Sequence, residues 1–124
     1  MIKIENEQVY MFDVDDTLVM WNGDCKKPSD NKVAISDPYD GIEVFLKPNF
    51  RHIKLLKQMH GRGRFICVWS AGGVKWAEAV VKALHLEPFV HMVTTKPMGY
   101  VDDLPIEQFM KNHIYLPDHP EVEK

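Results

Sequence analysis

An α/β fold around a parallel sheet is predicted by three features of this 124-residue chain. Strand and helix signals alternate along it without repeats or low-complexity tracts, as in layered α/β domains. Phe65-Ile66-Cys67-Val68-Trp69 is a continuous apolar run too short for a helix, which suits a strand covered on both faces. Val9-Tyr10-Met11-Phe12 leads directly into Asp13-Val14-Asp15-Asp16-Thr17. A buried strand whose C-terminal tip carries acids matches the place where open α/β sheets put their chemistry.

The first strand is expected at Val9 to Asp13. Residues 18–32 are mostly polar, with Gly23, Pro28, Ser29 and Asp30, and read as loop. Residues 33–36 and 42–46 flank Asp37-Pro38-Tyr39-Asp40-Gly41, a turn sequence, and should form a β-hairpin. Asn49 can cap a helix whose apolar positions Phe50, Ile53, Leu56 and Met59 recur at helical spacing until Gly61 stops it. After the central strand at 65–69, a second helix is expected at 74–84 with Trp76, Val80, Val81 and Leu84 inward. Residues 89–93 make a third core strand, and Tyr100-Val101 a short fourth. Pro105 opens a helix to residue 111, residues 113–116 add an edge strand, and the charged tail 117–124 frays.

Three acids within four positions repel one another and lose hydration, so a fold that gathers them supplies a cation or keeps one protonated. Alternation along an extended strand puts Asp13 and Asp15 on one side and Asp16 on the other. Asp13 and Asp15 are therefore the working pair, and a Mg²⁺-dependent phosphoryl-transfer site is the first expectation.

The Asp13-to-Thr17 pattern resembles the first motif of the haloacid dehalogenase (HAD) superfamily, and later segments are similar to its other motifs in the same order. Ser70 stands at a strand tip like the hydroxyl residue of the second motif. Lys96 in Thr94-Thr95-Lys96-Pro97 looks like the lysine of the third. Tyr100-Val101-Asp102-Asp103 is similar to the fourth, a strand ending in two acids. The likeness spans about residues 9 to 112. It implies a three-layer Rossmann-like parallel sheet with the first strand near its centre and a small β-hairpin flap after that strand. It also implies an aspartyl-phosphate mechanism. Asp13 would be the nucleophile and Asp15 the acid and base, while Ser70 and Lys96 would contact the phosphoryl group. Mg²⁺ would be held by Asp13, the Asp15 carbonyl and Asp102, with Asp103 ligating directly or through water.

Composition bounds the alternatives. The chain is read as a single domain, residues 1–124, with a loop and hairpin insertion at about 18–47 and no room for the sizeable cap that many family members carry. The resulting open site would take a phosphorylated substrate, either a small molecule or a macromolecular end such as a nucleotide or polynucleotide terminus. A net charge of −3 argues against nonspecific nucleic-acid binding, so nucleic acid is expected only as substrate. The basic stretch from Arg51 to Arg64 reads as a solvated helix face. Six histidines lack a zinc spacing, and two cysteines make no disulfide framework. No apolar run approaches the roughly 20 residues of a membrane span, and residues 1–8 carry no secretory signal, so the cytoplasm is the expected compartment. A homo-oligomer is compatible with the sequence. The principal alternative is a non-catalytic phosphate-binding or regulatory module on the same fold, against which the presence of both Asp13 and Asp15 argues. A receiver domain uses similar residues, but its phosphorylated aspartate follows a later strand, where this chain has Ser70 and Thr94.

Overall fold

The chain runs β1 (Val9–Asp13), β2 (Val19–Met20), β3 (Val33–Ser36), β4 (Glu43–Pro48), α1 (Phe50–Gly61), β5 (Phe65–Ser70), α2 (Val74–Ala83) and β6 (Met92–Thr95) in the computed structural model, which describes residues 8–117. Residues 118–124, most of the tail expected to fray, and 1–7, most of the segment read for a secretory signal, lie outside the described residues. The architecture is α/β. A parallel sheet has the order β1-β5-β6, and a separate antiparallel sheet has the order β2-β4-β3.

The apolar run at 65–69 is central because both its faces are covered: Ile66, Cys67 and Val68 are fully buried. β1 pairs with β5 from Val9↔Phe65 to Asp13↔Trp69, and β6 pairs with β5 from Cys67↔Met92 to Ser70↔Thr95. That register brings the C-terminal tips of all three strands to one end of the sheet. Helix α2 packs across β5, β6 and β3, burying Trp76, Ala77, Val80 and Val81, while α1 packs on β5 through Ile53 and Leu56. Asn49 caps α1 as its sequence position predicts, its side chain accepting from the Arg51 and His52 amides. Arg51, Lys54 and Lys57 lie exposed along that helix, in keeping with a solvated basic face.

Several expectations need correction. β1 lies at the edge of the parallel sheet, not near its centre, because Tyr100-Val101 forms no strand beside it; both residues are exposed, Val101 fully so. Two apolar residues between Gly99 and Asp102 bury too little surface to fix a strand. The helix expected at 105–111 is a single 3₁₀ turn at Ile106–Gln108, and 113–116 stays extended without sheet pairing. The third core strand begins at Met92, not at Phe89. Pro88 sits at the start of a 3₁₀ turn, Glu87–Phe89, which takes Phe89 out of the strand and sets it edge-on to His60. Phe50, expected inward, is exposed, and Leu84 is only partly covered. Val19-Met20, read as loop, pairs with Lys47-Pro48 and joins the hairpin sheet.

The hairpin does not hang free. Ile35 is buried, β3 packs on α2, and the Tyr39 hydroxyl lies against Gly73 at the α2 entrance, where an added Cβ would collide with it. Gly73 also has φ of 105°, a conformation that L side chains rarely adopt. Gly73→Ala is expected to destabilise the fold by about 1–3 kcal/mol, read as a lowered denaturant midpoint. The Tyr39 ring should become more accessible in the same variant.

Candidate active site

The acidic loop is built by backbone hydrogen bonds that reel the chain back on itself. The Val14 carbonyl accepts from the Thr17, Leu18 and Val19 amides, and the Asp16 amide donates to the Val19 carbonyl. Val14, Leu18 and Val19 are fully buried, so the loop is anchored by its apolar residues and its acids face outward. Alternation holds through Asp15, with Val14 in the core and Asp13 and Asp15 part-exposed on the other side, but it breaks at Asp16, which is exposed and does not share the Val14 side. Asp16 takes φ of 60°, which aspartate tolerates, and its carboxylate accepts from the Trp21 amide.

Asp13 sits at the tip of β1 with its side chain 31% exposed, and the Lys96 Nζ lies 3.9 Å from its Oδ1. Lys96 reaches this position from a tight connection after β6, where its amide donates to the Ser70 carbonyl. The Thr17 hydroxyl donates to Asp13 Oδ2 at 3.5 Å, a long contact suited to shaping the loop. Burial pushes the Asp13 carboxyl above its ordinary value. The Lys96 charge, the Val14 amide and the Thr17 hydroxyl oppose that push, whereas the Asp15 charge adds to it.

Asp15 is the most heavily hydrogen-bonded acid in the crevice. Its Oδ1 accepts from the Trp21 Nε1–H at 2.8 Å and the Trp76 Nε1–H at 3.0 Å, and its Oδ2 accepts from the Ser70 hydroxyl at 3.1 Å. Ser70 is fully buried and its Oγ also accepts from the Gly72 amide. The amides after Ser70 are engaged internally: Gly73 donates to the Ser70 carbonyl and Val74 to the Thr95 hydroxyl. They serve the helix entrance. No family model matches the chain, and comparisons with curated proteins and with solved structures find no match.

Four of the six residues expected in the site therefore meet: Asp13 with Lys96, and Asp15 with Ser70. Asp102 and Asp103 do not join them. Both are exposed, Asp102 accepts from the nearby Leu104 amide, and among the described residues no group of three or more His, Cys, Asp or Glu side chains is gathered for a metal. Asp13, Thr17 and Lys96 instead line a cavity of about 860 Å³ between β1 and the segment 106–115.

Two residues missed in the sequence shape this site. Trp76 lies on the packing face as periodicity predicts, but its indole N–H reaches an acid 61 positions away. His52, one of six scattered histidines, is 2% exposed and bridges the acidic loop to the C-terminal segment. The Leu116 amide donates to its Nε2 at 2.7 Å, so Nδ1 carries the hydrogen and donates to the Thr17 carbonyl at 2.7 Å. Both atoms bear hydrogen in the 3.1 Å approach of that nitrogen to Asn49 Nδ2, which therefore is not a hydrogen bond; Asn49 Nδ2 donates to the Leu116 carbonyl. The Tyr115 hydroxyl completes the tie by donating to the Asp16 carbonyl. Spacing could have flagged His52, because it shares a helical face with Leu56 and Met59 at i, i+4 and i+7.

Neither cysteine is in a disulfide. Cys25 is partly exposed, and burial pushes the Cys67 thiol up. Among the described residues, no helix is long and apolar enough to cross a membrane.

Proposed function

We propose that the chain is a Mg²⁺-dependent phosphohydrolase of the HAD type, cleaving a phosphate monoester through an aspartyl-phosphate. The observation that carries this reading is the convergence at one sheet end of Asp13 beside Lys96 and Asp15 beside Ser70. Asp13 would attack phosphorus in line, forming an aspartyl Oδ–P bond as the P–O bond to the leaving group breaks. Asp15 would give its proton to the departing oxygen, then take one from the water that hydrolyses the acyl phosphate. Lys96 would contact a nonbridging oxygen and oppose repulsion between Asp13 and the substrate, and Ser70, expected to do the same, would act there only by turning its hydroxyl away from Asp15.

The donor set fits a hard cation in part. The Asp13 carboxylate is uneasy by burial, and among the described residues no backbone amide donates to the Asp15 carbonyl, which leaves that oxygen for a ligand. Asp13 and the Asp15 carbonyl would hold Mg²⁺ together with waters and the substrate phosphate, whereas Asp102 and Asp103 lie in an exposed segment outside this set. The ion would supply charge neutralisation at the phosphoryl group.

A screen of nucleotides, sugar phosphates and 3′- or 5′-phosphorylated oligonucleotides with Mg²⁺ tests the proposal. Hydrolysis is expected for wild type and lost in Asp13→Asn and Asp15→Asn. Turnover that survives in Asp13→Asn assigns the nucleophile elsewhere. Binding of phosphate esters without turnover of any favours the non-catalytic module.

A further inference from the structure

Asp15 faces two indole N–H groups on a single oxygen, an arrangement with a chemical consequence. An indole nitrogen donates and cannot accept, so both rings serve Asp15 Oδ1 only as donors, and each restricts rotation of the carboxylate. We infer that Trp21 and Trp76 are positioning residues that fix the orientation of the Asp15 carboxylate by holding its Oδ1 from two sides.

The two donors are held differently. Trp76 is 5% exposed within the core cluster and is carried by α2. Trp21 is 41% exposed and follows β2, with its amide fixed by Asp16 and its ring 6.0 Å from that of Trp76. The residues after β2 thereby join the site, since the loop's first side chain reaches over Asp15. The other oxygen is held from the opposite side, where the Ser70 hydroxyl donates to Oδ2 and its Oγ accepts from the Gly72 amide. This inference rests on the phosphohydrolase reading for its catalytic meaning, whereas the indole contacts themselves can be tested without turnover.

The chain has three tryptophans, so its ¹H–¹⁵N spectrum carries three indole N–H signals. In Asp15→Ala, the Trp21 and Trp76 signals should move upfield while that of Trp69 stays; Asp15→Asn gives the same readout more weakly if the alanine variant fails to fold. Signals that do not move overturn the contacts. With activity in hand, Trp21→Phe keeps the ring and removes the donor. Its kcat/KM for an alkyl phosphate, whose leaving oxygen needs a proton, should fall about tenfold further than for p-nitrophenyl phosphate, whose leaving group does not. Equal losses on both esters, or none, overturn the positioning role. Wild type that hydrolyses no ester ends the phosphohydrolase reading and the catalytic role with it, and the indole signals then still decide the contacts.

Discussion

Asp13→Asn should abolish turnover while making the protein more stable at neutral pH. Loss of the nucleophile is expected to lower kcat by at least roughly 10³-fold. The stability gain follows from burial. The native carboxyl binds its proton more tightly than the ordinary value of 3.8. As pH rises from that value, the unfolded chain releases its proton first, and native stability falls until the folded carboxyl ionises too. At pH 7 the native state bears the whole penalty of holding a charge there, offset in part by Lys96. An amide keeps the shape without the charge. Melting of the two proteins at pH 7 should differ by about 2–5 °C in favour of the variant, and the gap should close below pH 3.8, where both forms are neutral. Adding Mg²⁺ should raise the melting temperature of wild type and leave that of the variant in place. A variant less stable than wild type at pH 7 would show that Asp13 is stabilised as an anion by its neighbours.

His52→Ala should cause the largest loss of stability of any polar substitution considered. The change removes a fully packed ring and leaves the Thr17 carbonyl without its donor and the Leu116 amide without its acceptor, both in partly buried settings. A cost of about 2–4 kcal/mol is expected from the cavity and the unsatisfied groups together, measured as a lowered urea midpoint. Asn49→Ala should be partly redundant with it, because Asn49 holds the carbonyl of the same residue, Leu116, whose amide His52 holds, while also capping α1. A double-mutant cycle should therefore show losses smaller than their sum. If His52→Ala also weakens activity, the effect should run through the Thr17 carbonyl that His52 holds and through Tyr115, which packs on the His52 ring and donates to the Asp16 carbonyl.

What was legible in the sequence follows the strength of local signals. The run at 65–69 announced β5 because five consecutive apolar residues admit little else in a chain of this kind, and Asn49 announced α1 because its side chain can accept the first amides of a helix. The hairpin was legible from its turn residues. On α1 the apolar spacing locates Ile53, Leu56 and Met59 on the core side, whereas Phe50 at the first turn is exposed and His52 is buried in its stead. A polar ring inside that face becomes tolerable only when partners from residues 17 and 116 satisfy it, and no local pattern contains them. The same reason hid Trp76 as a donor to Asp15. At the site, Asp13, Asp15, Ser70 and Lys96 were legible because each stands at or just past a strand tip, where register alone gathers them. Asp102 and Asp103 had no such support, since Tyr100 and Val101 are too short a run to hold them against the sheet.

The His52 and Tyr115 ties also order events during synthesis. Asp16 leaves the ribosome 99 residues before Tyr115, whose hydroxyl holds its carbonyl. A nascent chain can pair β1 with β5 once residue 70 has emerged, and His52 can already hold the Thr17 carbonyl, yet the tie to the Asp16 carbonyl waits for residue 115. Closing so long a loop is slow relative to forming local helices. The acidic turn should therefore take its final form only after residue 115 has emerged.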